Sequence, residues 1–319
     1  MGKVLSIAGS IVVVLLLVSS VVTYNSVGTP SDVSITNDGE TYTLSVNSSD
    51  FTDVKWSVTP TVNSAGATEL TGRSVSLELE PGTYDVKCIV TDAKGGVRTV
   101  VDHMAVSGLV MREMDYTYAY AGTTGKDTLT VSFDYAAVAA CLASDVPRSV
   151  SSVSTIKSFF VVDETMSEIA SQLKTNYEKL TGSPVVKDTC GYAQYVLDFT
   201  TSTMKYIADK SSRGVSEYWK LPLETLYDKG GDCEDTSIFF STLMLASGYT
   251  AAGVYLLPGH AIACVTIVDD VPVGIGASIV EERNGYSFYG GETTAQGWHI
   301  GYTSSAFADA KPQLYVVTV

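Results

Sequence analysis

Apolar and polar positions alternate with a period of two over the first third of the chain, and the period lengthens to that of a helix further on. From residue 32 to residue 108, short alternating runs recur between turn signals, the pattern of an all-β unit. Val33-Ser34-Ile35 precedes Asn37-Asp38-Gly39, Tyr42-Thr43-Leu44-Ser45-Val46 precedes Asn47-Ser48-Ser49, and Val54-Lys55-Trp56-Ser57-Val58 precedes Thr59-Pro60. Val75-Ser76-Leu77-Glu78-Leu79 leads to Pro81-Gly82. Tyr84, Val86, Cys88 and Val90 then share one strand face, and Val97 to Val106 closes the unit. The series predicts two sheets around one core, with Trp56 inside it.

Residues 109 to 319 read as a second domain of mixed character. Met111 to Ala137 is strand-like and predicts the edge of that domain's sheet. From Thr165 helical spacing takes over: Ile169, Leu173, Tyr177 and Leu180 form one stripe, and Val196, Phe199, Met204 and Ile207 another. A further helix opens at Asp232-Cys233-Glu234-Asp235, with Asp232 as N-cap, Ile238, Phe239, Leu243 and Ala246 as the buried stripe, and Gly248 as the stop. Two strands follow, Ala251 to Leu257 and His260 to Val268. Pro258-Gly259 joins them into a hairpin predicted to pack on that helix.

Composition narrows the partners. The 319 residues are 45% hydrophobic, enough for two cores. Lys and Arg number 20 against 35 Asp and Glu, and the net charge of −15 argues against nucleic acid, which requires a basic face. No charge interrupts residues 4–22, and Ile11 to Val18 is wholly apolar. With Lys3 ahead, residues 1–24 fit a signal anchor or a cleaved signal peptide, and the length of the run favours the anchor. Residues 25–31 read as a stalk. The remainder is expected outside the cell, held at the membrane by residues 4–22, or secreted where that segment is removed.

Five cysteines leave at least one thiol unpaired, and none has zinc-site spacing; no metal or cofactor is expected. Cys88 and Cys264 sit among apolar strand neighbours and read as core, while a bond between Cys141 and Cys190 stays open. Asn47-Ser48-Ser49 matches a glycosylation acceptor on a turn.

Cys233 carries the chemistry. Unpaired N–H groups and the dipole at a helix start favour a thiolate there, while Glu234 and Asp235 oppose it, so a base is required. Of three histidines, His103 lies in the first unit, His299 in a late loop, and His260 opens the strand after Pro258-Gly259. A cysteine at a helix start with a strand-borne histidine suits acyl transfer: imidazole removes the thiol proton and the thiolate attacks a carbonyl. The backbone N–H of Cys233 is one candidate oxyanion donor and Gln194 the second. Trp219, Pro222, Glu224 and Asp232 are candidates for the substrate groove. Asp269, Asp270, Glu281 and Glu282 read as surface charges near hairpin turns.

Gly231-Asp232-Cys233-Glu234-Asp235, followed by Pro258-Gly259-His260-Ala261, resembles the transglutaminase-like superfamily, especially its archaeal and bacterial cysteine proteins. The resemblance implies an α+β, papain-like domain: the cysteine opens a helix packed on an antiparallel sheet, and the histidine and an acid lie on later strands. The acid usually stands in Asp-Pro-Thr. Here Glu292-Thr293-Thr294 occupies the matching place, which makes Glu292 the implied partner orienting His260. In the first unit, Pro81-Gly82-Thr83-Tyr84-Asp85-Val86-Lys87-Cys88-Ile89-Val90-Thr91-Asp92-Ala93-Lys94-Gly95 resembles the signature of PKD domains, which are immunoglobulin-like sandwiches.

The function these resemblances imply is a cysteine peptidase or acyltransferase acting on peptide or isopeptide bonds of a protein or peptide substrate. Hydrolysis is favoured over transfer to an amine. The rival is a non-enzymatic surface module on the same scaffold, which thiol reactivity distinguishes.

Overall fold

The structure is a computed structural model that describes residues 33–37, 41–62, 66–120, 122–149 and 153–318. The expected membrane segment and stalk lie outside the described residues. Among the described residues no helix is long and apolar enough to cross a membrane. The chain is α+β with antiparallel sheets, and it divides into two compact units. One holds the described residues up to Val110 with Asp134–Ala136; the other holds Met111–Phe133 and the chain from Ala137.

The first unit contains β1 (Val33–Asn37), β2 (Thr41–Val46), β3 (Phe51–Pro60), β4 (Thr68–Thr71), β5 (Ser74–Glu78), β6 (Gly82–Asp92) and β7 (Val97–Val106). They pair antiparallel as two sheets, β1-β2-β5 and β4-β3-β6-β7. Leu44 of the first sheet and Val54, Trp56, Val86 and Val90 of the second share one core. Trp56 is 1% exposed, and its indole N–H donates to the Gly72 carbonyl at 2.9 Å, so the buried ring leaves no polar atom unpaired. Cys88, opposite Trp56 in the strand register, is a free thiol that burial pushes up to about 12. It is core.

Next in the chain come β8 (Leu109–Tyr120) and β9 (Thr123–Asp134), whose residues Met111–Phe133 belong to the second unit. They form a ribbon of their own and are not an edge of the main sheet. The reason lies on the outer side of β8. There the Ala119 N–H donates to Asp198 at 2.9 Å, and Thr117 exchanges hydrogen bonds with the Ser202 hydroxyl through its backbone N–H and C=O at 3.3 Å. Helix side chains occupy the positions a strand would need. The backbone turns helical at α1 (Tyr135–Leu142), earlier than the strand-like sequence suggests, and α2 (Val153–Lys157) follows.

In α3 (Glu164–Thr181), Asp163 caps the first turn through Met166 N–H at 2.8 Å, and Gly182 ends the helix at φ 68°. Its Ile169, Leu173 and Tyr177 are buried, but Leu180 is 36% exposed and leaves the predicted stripe. In α4 (Thr189–Thr203), Val196 and Phe199 are buried. The helix stops before Met204, so Ile207 lies beyond it, just past β10 (Lys205–Tyr206).

After α5 (Asp209–Ser212) and α6 (Pro222–Asp228), β11 (Gly230–Gly231) pairs parallel with β10 and delivers the chain to α7 (Cys233–Ala246). The hairpin of β12 (Ala251–Leu257) and β13 (His260–Thr266) packs against α7 as predicted, tied by the Ser241 hydroxyl donating to the Gly253 carbonyl at 2.6 Å. Two small strands, β14 (Ala277–Ser278) and β17 (Tyr302–Thr303), pair with each other. Beyond β13 the main sheet continues through β16 (Tyr286–Gly291) to β15 (Val280–Arg283), and beyond β12 to β18 (Gln313–Thr318). Every residue of α7 from Glu234 to Leu245 is buried, a wider burial than the single predicted stripe. The sheet covers one side of this helix and α3, α4 and α6 cover the rest.

Candidate active site

Three segments converge on Cys233. The first is the start of α7 itself. Asp232 occupies the N-cap position in extended geometry, yet its carboxylate does not cap the helix. The second is the start of β13, where the Ala261 N–H approaches the Cys233 sulfur. The thiol thus lies against the residue next to His260. The third is the loop after β16, which carries Glu292.

His260 Nε2 and Glu292 Oε2 are 2.8 Å apart. Glu292 is 3% exposed and accepts three further bonds: from the Thr303 hydroxyl at 2.7 Å, the Thr294 hydroxyl at 2.6 Å and the Thr294 N–H at 3.2 Å. Burial works to raise its pKa, but the bonds from His260, Thr294 and Thr303 outweigh it and hold the carboxyl below its usual value. Glu292 is therefore an anion fixed on one imidazole nitrogen. Phe307 stacks on the imidazole, its ring 5.3 Å from the His260 ring and 13° from parallel. The Glu292 contact leaves Nδ1 as the imidazole nitrogen available to a thiol.

The thiol itself rests differently from expectation. Cys233 Sγ donates to Glu234 Oε2 at 3.2 Å, and no hydrogen bond joins it to His260. Burial pushes the thiol pKa far up, and the charges of Glu234 and Asp232 add to the rise, against the pull of the Ala261 N–H. The advantage of the helix start is therefore overridden. Asp235, expected to act alongside Glu234, is fully buried and faces away: it accepts the Lys220 N–H at 2.7 Å and its other oxygen is 3.4 Å from the Lys220 ammonium. That ammonium, also fully buried, holds Asp228 at 3.1 Å and the Gly230 carbonyl at 3.0 Å. Lys220 thereby pins the strand entering Cys233 to the first turn of α7.

Carboxylates crowd this end of α7. One oxygen each of Asp209, Glu217 and Glu234 lies within 4.8 Å of the others, and the same holds for Asp209, Asp232 and Asp235, and for Asp232 and Glu234 with the thiol. Asp209 is 3% exposed, and its Oδ1 has no hydrogen-bond partner. These are the groups among the described residues with the spacing to hold a cation.

Four expected site residues lie elsewhere in role. Both N–H groups of the Gln194 amide are engaged, by Asp198 at 2.9 Å and the Trp298 carbonyl at 3.0 Å, and its oxygen accepts the Ile300 N–H at 2.9 Å. It ties α4 to the late loop and has no donor left for an oxyanion. Trp219 is buried against Phe159 with ring centroids 5.5 Å apart. Pro222 opens α6, where its missing N–H costs nothing. Glu224 is completely buried, paired with Arg148 at 2.6 Å, and accepts from the Tyr218 hydroxyl and the Leu221 N–H at 2.9 Å. An apolar or paired residue inside the core has no surface to offer a substrate. Asp232 alone of the four groove candidates stays beside the thiol.

The structure also brings in residues that no local sequence signal marks. Thr303 and Phe307 reach the Glu292 and His260 side chains from the far end of the chain. Thr293 bridges the hydroxyls of Thr236 and Ser237 at 2.9 and 3.1 Å, fixing the Glu292 loop to the first turns of α7. No protein-family model matches the chain, and no curated protein resembles it closely enough in sequence to count as a relative.

Proposed function

We propose that the protein is an extracellular, membrane-anchored thiol acyl-transfer enzyme of transglutaminase-like type, acting on peptide or isopeptide bonds through Cys233, His260 and Glu292. In this reading the second unit is a papain-like, transglutaminase-like domain and the first a PKD-type, immunoglobulin-like sandwich serving as spacer. The observation that carries it is the anchored His260–Glu292 pair at 2.8 Å, with the thiol lodged against the next residue of the same strand. A core histidine has no need of a buried carboxylate held by two threonines.

In the proposed reaction, His260 Nδ1 takes the Cys233 proton and the sulfur bonds to the carbonyl carbon. Charge collects on the carbonyl oxygen, where the Cys233 N–H is the available donor. The C–N bond then breaks, the amine leaves with the proton from the imidazolium, and a thioester remains. Water, activated by the returned neutral imidazole, releases the acid and restores the thiol. An amine in place of water gives transfer; hydrolysis is the favoured course. Glu292 keeps the imidazole in the required tautomer and balances its charge.

The raised thiol pKa supports the rival, a surface binding module, because a resting thiol bonded to Glu234 is unreactive. Iodoacetamide labelling separates the two. Selective modification of Cys233, lost in His260→Ala, together with peptide hydrolysis lost in Cys233→Ala, upholds the enzyme. A folded protein whose Cys233 resists labelling across the neutral range leaves the binding module.

A further inference from the structure

The loop after β16 holds both halves of the site with two neighbouring side chains. Gly291, the last residue of β16, pairs with Ala263 of β13, three residues beyond His260. From there Glu292 reaches the imidazole and Thr293 reaches α7. Thr293 is 1% exposed, and its hydroxyl lies 2.9 Å from the Thr236 hydroxyl and 3.1 Å from that of Ser237. Thr236 and Ser237 are buried as well, in the first two turns of the helix.

Each of these two helix hydroxyls also grips a backbone carbonyl one turn back. Thr236 donates to the Asp232 carbonyl at 2.9 Å, and Ser237 donates to the Cys233 carbonyl at 2.6 Å. These carbonyls belong to the peptide units on either side of Cys233. A peptide unit is planar, so the Asp232 carbonyl and the Cys233 N–H turn together. Whatever fixes that carbonyl therefore fixes the direction of the Cys233 N–H, the candidate oxyanion donor. Thr293, Thr236 and the Asp232 carbonyl form one line from the Glu292 loop to that N–H.

The hydroxyl protons decide what this line contributes to folding. A hydroxyl has one proton to give and two lone pairs that receive. Three hydroxyls thus supply three protons to four hydrogen-bond distances. With Thr236 and Ser237 committed to their carbonyls, Thr293 donates to one of them and meets the other lone pair to lone pair. A valine at 293 keeps the shape and leaves each helix hydroxyl its own carbonyl, so no buried donor is orphaned. Folding alone gives no reason for a hydroxyl at this place. Thr293 also stands where Asp-Pro-Thr has proline, which carries no hydroxyl, so the line belongs to this chain and not to the resemblance.

We propose that Thr293 is a positioning residue: acting through Thr236 and Ser237, it sets the peptide units around Cys233 and holds the Cys233 N–H in register with the His260–Glu292 pair. The proposal rests on the reading of the site as an acyl-transfer enzyme, in which that N–H stabilises charge on the carbonyl oxygen. A misaligned donor slows the chemical step and leaves substrate binding alone.

The test uses the full chain, with Thr293→Val beside Thr293→Ser and a quenched fluorescent peptide selected from a library for cleavage by the wild type. Thr293→Val is expected to lower kcat at least about tenfold with KM within about twofold. Thr293→Ser returns the hydroxyl and should restore kcat to within about threefold of wild type. Melting temperatures of both should stay within about 3 °C of wild type. Alkylation of Cys233 by iodoacetamide should stay within about threefold, because displacement at an alkyl carbon forms no oxyanion. Thr236→Val cuts the same line, so adding it to Thr293→Val should lower kcat little further than either change alone. Wild-type kcat in Thr293→Val overturns the proposal. So does a loss that Thr293→Ser fails to restore, or one that comes with unfolding, since the hydroxyl would then serve packing or stability. A wild type that cleaves no peptide sinks the acyl-transfer reading, and hydrogen exchange then decides on the hydroxyl line by itself. Segments 232–237 and 291–294 should both exchange at least about fivefold faster in Thr293→Val; unchanged exchange removes the line.

Discussion

Glu292 Oε2 lies 2.8 Å from His260 Nε2, while the Thr303 hydroxyl bonds the same oxygen at 2.7 Å. The carboxylate therefore cannot follow the imidazole if the ring swings, and the ring orientation is set from β17 as much as from β13. Glu292→Gln keeps the shape but removes the charge that balances an imidazolium. Its kcat/KM for peptide hydrolysis should fall by about 100-fold or more, with the melting temperature little changed. Thr303→Val should give a smaller loss in the same direction, read from the same assay.

The resting thiol is held by Glu234. Removing that charge lowers the thiol pKa, because the negative neighbour favours the protonated form. In Glu234→Gln the pH profile of Cys233 alkylation should move to lower pH than in wild type. A profile that stays in place would show that burial alone sets the thiol.

Stability should depend on pH in an unusual direction. Burial pushes Asp235 up to about 8 against the pull of Lys220. Burial also raises Asp232 and Glu234, which repel one another. These groups hold their protons more tightly folded than unfolded. The stability they contribute is fully present below about pH 4 and is lost as pH rises through about 8. Urea midpoints should decline from about pH 5 to about pH 9, and Asp232→Asn should flatten that decline.

Above about pH 8, where Asp235 is ionised, Lys220→Met leaves that carboxylate buried without its ammonium, a change that costs about 3–5 kcal/mol when one partner of a buried pair is removed, while Asp228 keeps Arg213 at 2.7 Å. Chemical denaturation should show that loss, and Lys220→Met with Asp235→Asn should recover part of it. A double variant no more stable than the single one would place the cost in packing.

Gly253→Ala should destabilise the sheet, since the added Cβ meets the backbone carbonyl of Tyr315 on the neighbouring strand and not a side chain that can move aside. Thermal unfolding of the variant beside Gly259→Ala, where the pocket for a Cβ is open but φ is 69°, separates collision from backbone strain.

The alternating runs of the first unit and the hairpin after Cys233 were legible because each rests on local spacing, whereas Glu292 was reached only through the resemblance. Leu44, Trp56 and Cys88 fall on inward faces by parity alone, and Asp232-Cys233 marks a helix start by residue type, although the Asp232 carboxylate does not cap it. Trp219, Pro222 and Glu224 were misread as groove because a motif says which residues are near in sequence, not which side of the chain meets solvent. Gln194 was misread for the same reason: its partners, Trp298 and Ile300, are a hundred residues away in the chain.

By itself, then, the sequence determined which residues alternate, where the helix at Cys233 begins, and that one cysteine, one histidine and one acid stand in a suggestive order. Only the tertiary structure decided that the acid is locked by Thr303, that the thiol faces Glu234, and that Asp235 belongs to Lys220. Local spacing fixes the direction of a side chain relative to its own strand or helix. Charge, burial and hydrogen bonding depend on what the rest of the chain packs against it, and those distances exist only after folding.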